Sequence, residues 1–247
     1  MNWNGLELPE SYFHDDDVYI IQGDCLEVLA QIPDKSIALG ITSPPFNLGN
    51  THHTGNHRHQ AYDDNLPETE YQSMQIAVLN DLYRIIGDGG SFWYQHKNRI
   101  KNGVSTTPYQ WLLKTKWIVK QEIVWRNRSQ NFDKIRFYPM TERLYWLANS
   151  PKTKLENTVN LHDDWHIEPV GSKGKHTRAF PEEIVNNIIL CFPSSTLVLD
   201  PYLGSGTTAI VARELNRKCI GIEISEEYCE MATLRYIKYL ATREKTE

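Results

Sequence analysis

The chain has 247 residues, 40% of them hydrophobic, and seven tryptophans, which suffices for one sizeable packed domain with at most a small insertion. Its longest apolar runs are far too short to span a membrane, and its four cysteines are scattered without the paired spacing of a metal site. No secretory segment precedes them, so we expect a cytosolic protein without a bound metal or a membrane partner.

The net charge of −5 is unevenly distributed along the chain. Residues 1–92 carry 3 basic and 14 acidic side chains, residues 93–143 carry 11 and 3, and residues 144–247 carry 12 and 14. Aromatic residues are interleaved with the basic ones in the middle segment: Trp111, Trp117, Trp125, Phe132, Phe137 and Tyr138. This combination favours a nucleic-acid groove, with a solvated basic face as the alternative.

The N-terminal region predicts one strand and one helix. Met1 to Asp17 ends in three aspartates and is interpreted as an exposed lead-in. The apolar run Val18–Gln22 predicts a short strand, and a helix is expected from about Leu26 to Gln31. Asp24 stands where a helix N-cap is expected.

An apolar strand from Ile37 to Ile41 is followed by Thr42-Ser43-Pro44-Pro45-Phe46. Because the prolines cannot continue a strand ladder, the chain must leave the sheet in a stiff turn. That turn holds the Ser43 hydroxyl and main-chain carbonyls beside the flat face of Phe46. The arrangement suits a planar ring with an exocyclic amine, whose hydrogens would go to Ser43 and a carbonyl. For this motif alone, an ordinary loop with a buried phenylalanine is the alternative.

The polar segment 47–67 contains four histidines, at positions 52, 53, 57 and 59. Since the run offers no suitably spaced cysteine or carboxylate, we predict a mobile loop that orders over DNA rather than a zinc site. A helix is predicted over Pro67–Ile86 from its apolar spacing. The glycine-rich run 87–90 should end this helix and start a core strand, Ser91–Tyr94.

The basic middle segment predicts a helix over Pro108–Lys114 and two strands, Trp117–Trp125 and Glu142–Leu147, paired antiparallel at the sheet edge. The long basic loop between the strands is expected to be functional. Residues 150–174 are polar and are interpreted as a small target-recognition insert, with a plain surface linker as the alternative. A helix is predicted over Glu182–Cys191.

A second motif lies near the C-terminus, where an apolar strand ending at Leu199 is followed by a glycine turn and a helix over Ala209–Leu215. Gly204 and Gly206 allow a sharp turn and close approach of a ligand to the free N–H groups at the helix start. A phosphate-binding loop would need a lysine where Gly206 stands, and a dinucleotide-binding turn would need a third glycine near position 209. A nucleoside-type cofactor without a pyrophosphate fits this motif, with a plain tight connection as the alternative.

The apolar run 219–222 that follows this helix closes on Glu223. An acidic side chain at that strand end can accept hydrogen bonds from two ribose hydroxyls. A last helix is predicted from about Glu226 to Thr242.

Together and in this order, the sequences Thr-Ser-Pro-Pro-Phe (42–46) and Asp-Pro-Tyr-Leu-Gly-Ser-Gly-Thr-Thr (200–208) resemble the catalytic and S-adenosylmethionine motifs of the DNA amino-methyltransferases. These enzymes modify the exocyclic nitrogen of cytosine or adenine. The catalytic motif comes first, as in the permuted beta group of the family. The resemblance extends from Gly23 to about Tyr228 and departs at Leu203, where the family usually has an aromatic at or beside this position; Tyr202 can supply it.

The resemblance implies roles for three sets of residues. The catalytic set is Ser43, Pro44, Pro45 and Phe46. The cofactor-binding set is Asp24, Cys25, Thr42, His176, Thr177, Phe180, Asp200, Tyr202, Leu203, Gly204, Ser205, Gly206, Thr207, Thr208, Glu223 and Ile224. The DNA-binding set, which also draws on the basic loop, is Arg126, Asn127, Arg128, Lys134 and Arg136.

The resemblance further implies an α/β fold, a doubly wound and mostly parallel sheet with an antiparallel edge hairpin, of the Rossmann-like class I methyltransferase type. One catalytic domain would span residues 1–247. The expected reaction is methyl transfer from S-adenosylmethionine to N4 of a flipped cytosine in double-stranded DNA, in a bacterial, archaeal or phage-encoded enzyme. Adenine N6 is the principal alternative. An RNA or protein methyltransferase, or a DNA-binding protein without turnover, is a lesser one. A cognate restriction endonuclease and a homodimer are left open as partners.

Overall fold

The computed structural model describes residues 1–49, 64–101, 103–127, 136–157, 162–170 and 180–243. Within these ranges the strands are β1 (Asn2–Trp3), β2 (Leu6–Glu7), β3 (Phe13–His14), β4 (Val18–Gln22), β5 (Ile37–Thr42), β6 (Ile86–His96), β7 (Arg99–Lys101), β8 (Val104–Thr106), β9 (Ile118–Arg126), β10 (Thr141–Ala148), β11 (Asp164–Trp165), β12 (Leu197–Asp200) and β13 (Lys218–Glu223). The helices are α1 (Cys25–Leu29), α2 (Glu68–Ile85), α3 (Tyr109–Leu112), α4 (Glu182–Leu190), α5 (Thr207–Glu214) and α6 (Glu226–Arg243).

Nine strands form one sheet in the order β11-β9-β10-β6-β5-β12-β13-β4-β3. Its centre is parallel, from β6 through β5, β12 and β13 to β4. The strands β9 and β10 form an antiparallel hairpin that joins this centre through β6. The predicted mostly parallel α/β sheet with an antiparallel hairpin is therefore confirmed.

Both faces of the parallel strands are buried, which is why their sequences read as continuous apolar runs. In β4, Val18 and Ile20 face the core formed with α4, α5 and α6, whereas Tyr19 and Ile21 face the core formed with α1, α2 and α3. The sheet thus lies between two helical layers, which makes the fold doubly wound. No helix within the described ranges is long and apolar enough to cross a membrane.

The predicted helices agree with the observed ones to within two residues at each end. The predicted strand Ser91–Tyr94 is too short, because β6 begins at Ile86 and includes the glycine run 87–90. Ile86 already pairs with Ile37, and the register then shifts before Leu39 pairs with Ser91. A side chain at Gly90 would lie 2.7 Å from the carbonyl oxygen of Ala38, so glycine allows this irregular pairing.

The interpretation of residues 1–17 as an exposed lead-in is wrong. Trp3 and Leu8 are buried, and β3 pairs antiparallel with β4 at the sheet edge. The Trp3 indole donates to the carbonyl oxygen of Asp15 at 2.7 Å, and the Asp15 carboxylate accepts from the Tyr236 hydroxyl at 2.8 Å. Asp15 therefore connects the N-terminal segment to the last helix instead of facing solvent.

The predicted hairpin is not the outermost element of its sheet edge, because β11 pairs in parallel with Val124 and Trp125 of β9. β11 belongs to the segment 150–174, whose described part packs into the core through Trp165 and Ile167. The Trp125 indole donates to the carbonyl oxygen of Ile167 at 2.8 Å. A target-recognition role for this segment remains a prediction; its described part is neither a bare linker nor a separate lobe.

The chain reverses its direction across the sheet between β5 and β12, because β5 leads to β6 on one side and β12 leads to β13 on the other. The carboxyl ends of two such strands border a crevice in which α/β proteins bind ligands. At this point the Asp200 carboxylate accepts hydrogen bonds from the hydroxyls of Thr42 and Thr208, at 2.7 and 2.6 Å, and from the main-chain N–H of Tyr202 at 3.1 Å.

Asp200 should make the protein less stable as the pH rises from about 4 to about 6. Burial raises the pKa of Asp200 from 3.8 to about 6, against the opposing effect of its hydrogen bonds. Between these two pKa values the folded protein retains a proton that the unfolded chain has released. The contribution of Asp200 to the free energy of unfolding is therefore fully present below about pH 4 and is lost as the pH rises past about 6. In Asp200→Asn the decrease in the free energy of unfolding over this pH range should be smaller than in the wild type. Denaturant midpoints measured across the range test this.

Glu223, whose pKa is also raised by burial, acts in the same direction, so the decline should shrink without disappearing. Asp88→Asn is the matched control, because this exposed carboxylate forms a surface ion pair with Lys35. This substitution should leave the pH dependence of the free energy of unfolding unchanged. An unaltered decline in the Asp200 variant would contradict the assignment.

Candidate active site

The glycine turn lies between β12 and α5, and its two glycines serve different purposes. Both have positive φ, 54° at Gly204 and 85° at Gly206, which favours glycine at either position. A Cβ at Gly206 would lie 2.9 Å from the Cβ of Ala232, so this glycine lets α6 pack against the turn. A Cβ at Gly204 would meet no atom nearer than the carbonyl oxygen of Tyr202 at 4.0 Å. The space in front of Gly204 is therefore open to a ligand.

The side chains beside the glycines shape the turn from inside the protein. Thr207 and Thr208 are buried, and the main-chain carbonyl and hydroxyl of Ser205 accept from the Arg235 guanidinium at 2.5 and 2.7 Å. Leu203 is buried against Gly221, where a Cβ would lie 2.5 Å from its Cδ2. Leu203 thus packs directly against the backbone of β13, and the absence of a side chain at Gly221 makes room for it.

Glu223 is held in a fixed orientation at the end of β13. One carboxylate oxygen accepts from the main-chain N–H of Gly204 and the other from that of Ser225, both at 2.9 Å. Burial raises the pKa of Glu223, while these amides favour the charged form. Since each carboxylate oxygen has a second lone pair, Glu223 can still accept two hydrogen bonds from a ligand.

Asp24 and Cys25 lie next to Glu223, because the main-chain N–H of Gly23 donates to the carbonyl oxygen of Glu223 at 3.0 Å. The Asp24 carboxylate is the N-cap of α1 and accepts from the N–H of Leu26 at 2.8 Å. Its exposed carboxylate remains open to a ligand as well. Cys25 is buried, which raises the pKa of its thiol to about 12.

Four members of the predicted cofactor set remain: Phe180, Ile224, His176 and Thr177. Phe180 is half-buried, packs against the core, and precedes α4. Ile224 is half-buried directly after β13. His176 and Thr177 lie outside the described residues, so their predicted roles rest on the sequence alone.

The turn Ser43–Phe46, named the catalytic turn after its predicted role, leaves the sheet at the end of β5. Ser43 is the first of a series of hydrogen-bonded polar side chains there. The Ser43 hydroxyl donates to the amide oxygen of Gln95 at 2.5 Å. The amide nitrogen of Gln95 donates to Glu142, whose other carboxylate oxygen accepts from Asn127 at 3.0 Å. The four residues come from four elements that meet at the carboxyl end of the parallel sheet.

This series of hydrogen bonds determines the direction in which the Ser43 hydroxyl points. Its proton lies toward Gln95, and an amide oxygen is not a base that can remove it. Ser43 therefore does not act as an activated nucleophile of the kind that needs an adjacent general base. Its oxygen lone pairs stay available to accept hydrogen bonds from a bound group.

The Phe46 ring is supported from behind. Its centroid lies 4.7 Å from that of the His96 imidazole, and the Lys97 ammonium lies 5.7 Å from the ring centre. Pro44 is buried, whereas Phe46 is only half-buried. The partly exposed ring can serve as a stacking platform.

The two described ends of segment 47–67 are tied together by side-chain hydrogen bonds. Asn47 donates through its amide to the carbonyl oxygen of Leu66 at 2.9 Å and accepts from the N–H of Leu66 at 2.7 Å. The Asp64 carboxylate accepts from the N–H of Asn47 at 2.8 Å. Residues 50–63, including the four histidines, lie outside the described residues, and the predicted mobility of this loop stays a prediction.

The predicted DNA-binding residues separate into two groups. Asn127 is buried in the polar chain that leads to Ser43, which suits the lining of a base pocket better than a phosphate contact. Arg126 is half-exposed and pairs with Asp164 at 2.7 Å. Arg136 is exposed beside Phe137, whose side chain is 100% exposed. Arg128 and Lys134 lie outside the described residues.

The sequence interpretation missed Gln95, His96 and Glu142. Gln95 and His96 are almost fully buried polar residues at the carboxyl end of a parallel core strand. Polar side chains at that position are a signal for a ligand site in α/β sheets. Glu142 had no such signal, because only the register of β10 brings it to Gln95.

Two similar proteins are Type II methyltransferases. The chain is 29% identical to M.ScaI of Streptomyces caespitosus over 265 aligned residues, which cover 92% of this chain and 84% of that protein. It is 24% identical to M.BglII of Bacillus subtilis, with 86% and 67% of the two chains covered.

Solved structures share the fold. The cytosine-N4-specific PvuII DNA methyltransferase superposes with a TM-score of 0.77 at 22% identity, covering 93% of this chain and 90% of its own. TTHA0409 of Thermus thermophilus, solved in complex with S-adenosyl-L-methionine, superposes with a TM-score of 0.66 at 20% identity, with 90% and 93% covered. The observed sheet is thus that of the class I methyltransferases.

A family model described as DNA methylase, which spans N6- and N4-specific enzymes, matches residues 37–234. The matched region begins with β5, includes the catalytic turn, the polar chain around Ser43 and the glycine turn, and ends within α6. The chain belongs to the N6/N4 DNA methylase family.

Proposed function

We propose that the protein transfers a methyl group from S-adenosylmethionine to N4 of a cytosine flipped out of duplex DNA. The observation that carries this proposal is the Ser43 hydroxyl, whose proton is directed to Gln95 and whose lone pairs are left to accept hydrogen bonds. An exocyclic amine is a poor nucleophile because its lone pair is delocalised into the ring. Acceptors for its hydrogens, Ser43 and the carbonyl of Pro44, favour a tetrahedral nitrogen whose lone pair can attack.

In this proposal the glycine turn and the end of β13 hold the cofactor. Glu223 would accept hydrogen bonds from its ribose hydroxyls, the open space at Gly204 would admit its adenosine, and Asp24 would border the adenine. Asp200, with three internal hydrogen bonds, shapes this site by joining the end of β5 to the glycine turn and α5. The bound cofactor supplies the electrophilic methyl group.

The target base stacks on Phe46, with its amine at Ser43. A base within a duplex cannot reach this turn, so it must be extruded. Asn127 and Glu142 extend the polar wall from Ser43 toward the basic loop that follows β9. Close placement of the amine to the methyl group then accounts for much of the rate acceleration.

Cytosine is favoured over adenine by the residues of the turn. Family members that modify adenine mostly carry Asp at the position of Ser43 and Tyr at that of Phe46, whereas Ser-Pro-Pro-Phe or Ser-Pro-Pro-Tyr is commoner among those that make N4-methylcytosine. The PvuII enzyme is cytosine-N4-specific. Adenine N6 is the second candidate, because the matching family includes both specificities. The similarity to Type II methyltransferases supports a restriction endonuclease partner.

Nucleoside mass spectrometry of DNA treated with the enzyme tests the proposal. We expect N4-methylcytidine and no methylated adenosine. In Ser43→Ala the rate should fall about 10- to 100-fold, because a charge-assisted hydrogen bond to the amine is lost as it gains positive charge. Cofactor affinity should stay unchanged in calorimetry.

Methylated adenosine alone would overturn the choice of base. Transfer of labelled methyl groups to RNA or protein but not to DNA would overturn the substrate class. A Ser43→Ala variant with the full rate would remove Ser43 from the mechanism. Ser36→Ala serves as the matched control, because it removes a half-buried hydroxyl before β5 that donates to the carbonyl oxygen of Pro33.

Glu223→Gln should weaken S-adenosylmethionine binding by about 1.5–3 kcal/mol, because the hydrogen bonds from ribose would no longer end on a charged carboxylate. Calorimetric titration with the cofactor alone measures this effect. Glu230→Gln, an exposed acid on α6, is the control that should bind normally. Equal affinity in all three proteins would exclude Glu223 from the ribose site.

Arg126→Ala should lower the affinity for duplexes of any sequence and reduce the slope of log K against log salt by about 0.9 for each phosphate that is no longer neutralised. Asp164→Asn should act in the opposite direction, because it releases the Arg126 guanidinium from its ion pair. Binding is measured by fluorescence anisotropy over a series of salt concentrations. Arg243→Ala, which removes another half-exposed ion-paired arginine, on the last helix, should change neither quantity. An effect limited to one DNA sequence would make Arg126 a base reader.

A further inference from the structure

A second series of hydrogen-bonded polar side chains lies behind the Ser43–Phe46 turn, between β6 and α2. His96 ends β6 and is fully buried, and Tyr71 of α2 is buried beside it. The Tyr71 hydroxyl lies 2.8 Å from the carbonyl oxygen of Pro45 and 2.7 Å from Nε2 of His96. Nδ1 of His96 lies 2.9 Å from the main-chain nitrogen of Lys97.

These three contacts are satisfied together by one set of hydrogen-bond directions. A carbonyl oxygen can only accept, so the Tyr71 hydroxyl donates to Pro45. The same hydroxyl must then accept from His96, which places the imidazole proton on Nε2. In a neutral ring Nδ1 is consequently unprotonated and accepts from the N–H of Lys97.

One contact argues for the other tautomer. Nδ1 also lies 2.8 Å from the carbonyl oxygen of Lys97, to which a proton on Nδ1 could be donated. That tautomer would leave a single hydroxyl proton for both Nε2 and the carbonyl of Pro45, so one of two short contacts would have no proton. The Nε2–H tautomer provides a proton for both contacts of Tyr71 and an acceptor for the Lys97 N–H, and leaves only the contact between Nδ1 and the Lys97 carbonyl oxygen without a proton. It therefore satisfies more of the contacts than the Nδ1–H tautomer does.

The imidazole stays neutral near physiological pH. Burial, together with the nearby charges of Arg99 and Lys97, lowers the pKa of His96 to about 3. The Arg99 guanidinium lies 4.6 Å from the Tyr71 ring centre and pairs with Glu68 through two hydrogen bonds of 2.7 and 2.9 Å. Burial also raises the pKa of Tyr71, so its hydroxyl keeps the proton that it donates.

The hydrogen bond to the Pro45 carbonyl restricts the conformation of the whole turn. The proline ring fixes φ, so ψ is the one backbone rotation left at Pro45. That rotation sets both the direction of the Pro45 carbonyl and the direction in which the chain continues to Phe46. The His96 ring also packs directly against the Phe46 ring, 4.7 Å away. One histidine thus supports the stacking platform and, through Tyr71, the peptide before it.

We propose that Tyr71 and His96 are positioning residues, which hold the catalytic turn through a directed chain of hydrogen bonds from the Lys97 N–H through the imidazole and the phenol to the Pro45 carbonyl. Neither residue touches the reacting atoms. Their effect is to keep Phe46 and the amine acceptors in the geometry that methyl transfer requires. This inference rests on the proposed methyl transfer to DNA.

Tyr71→Phe tests the chain, because it removes one hydroxyl and keeps the ring packed beneath Arg99. We expect kcat to fall about tenfold, with KM and the affinities for S-adenosylmethionine and DNA unchanged. Tyr83→Phe is the matched control on the same helix, since its ring packs against Trp117 instead, and it should keep the wild-type kcat.

Variants of His96 separate the hydrogen bond from ring packing. His96→Gln offers an amide N–H near the position of Nε2 and should retain most of kcat. His96→Phe keeps a ring against Phe46 without a donor and should lose as much kcat as Tyr71→Phe. The double variant Tyr71→Phe/His96→Phe should lose little more than either single variant, because both changes break the same chain.

The imidazole nitrogen signals in NMR provide a readout that does not depend on activity. The wild type should show one Nε2–H tautomer throughout about pH 5 to 8, whereas Tyr71→Phe should shift protons to Nδ1. A wild-type ring protonated on Nδ1, or an unchanged kcat in Tyr71→Phe, would overturn the inference. A wild-type protein that methylates no DNA would instead refute the proposed function, and the tautomer measurement would still decide the hydrogen-bond chain.

Discussion

The buried carboxylate of Asp200 is the interaction on which the geometry of the site depends. Its partners come from three places: the end of β5, the turn after β12, and the first turn of α5. The hydroxyl of Thr42 stands directly before Ser43, so one carboxylate connects two motifs that are 158 residues apart in the chain. A desolvated carboxylate is costly unless its hydrogen-bonding capacity is used, which explains why two hydroxyls and an amide surround it.

With the two motifs joined in this way, the catalytic turn is held from opposite sides. On one side Ser43 is oriented through Gln95 and Glu142, and on the other the Pro45 carbonyl is bound by Tyr71. Both supports come from β6 and its neighbours rather than from loops. Rigid strands and helices hold catalytic groups more accurately than loops do, and the two prolines leave few rotations to be fixed.

Much of this architecture could be predicted from sequence, because the determining signals are local. Apolar runs located the parallel strands, glycines located the turn after β12, and periodicity located the helices to within two residues. The polar chain around Ser43 could not be predicted, since it depends on strand register. Gln95 pairs with Leu144, which makes Glu142 a diagonal neighbour on the same face. The error at residues 1–17 has a similar cause, because Trp3 is buried by contacts with distant segments that no local pattern reveals.

The hydrogen bonds that close the ends of segment 47–67 have a consequence for how much sequence change this segment can tolerate. Asn47 and Leu66 join the two ends through a pair of reciprocal hydrogen bonds, so the catalytic turn and α2 are fixed relative to each other whatever the chain between them contains. Lengthening a closed loop costs little, about 0.6 kcal/mol for each doubling in the flexible-chain limit. Insertions, deletions and substitutions between these two anchors can therefore be accommodated without displacing Ser43 or Phe46.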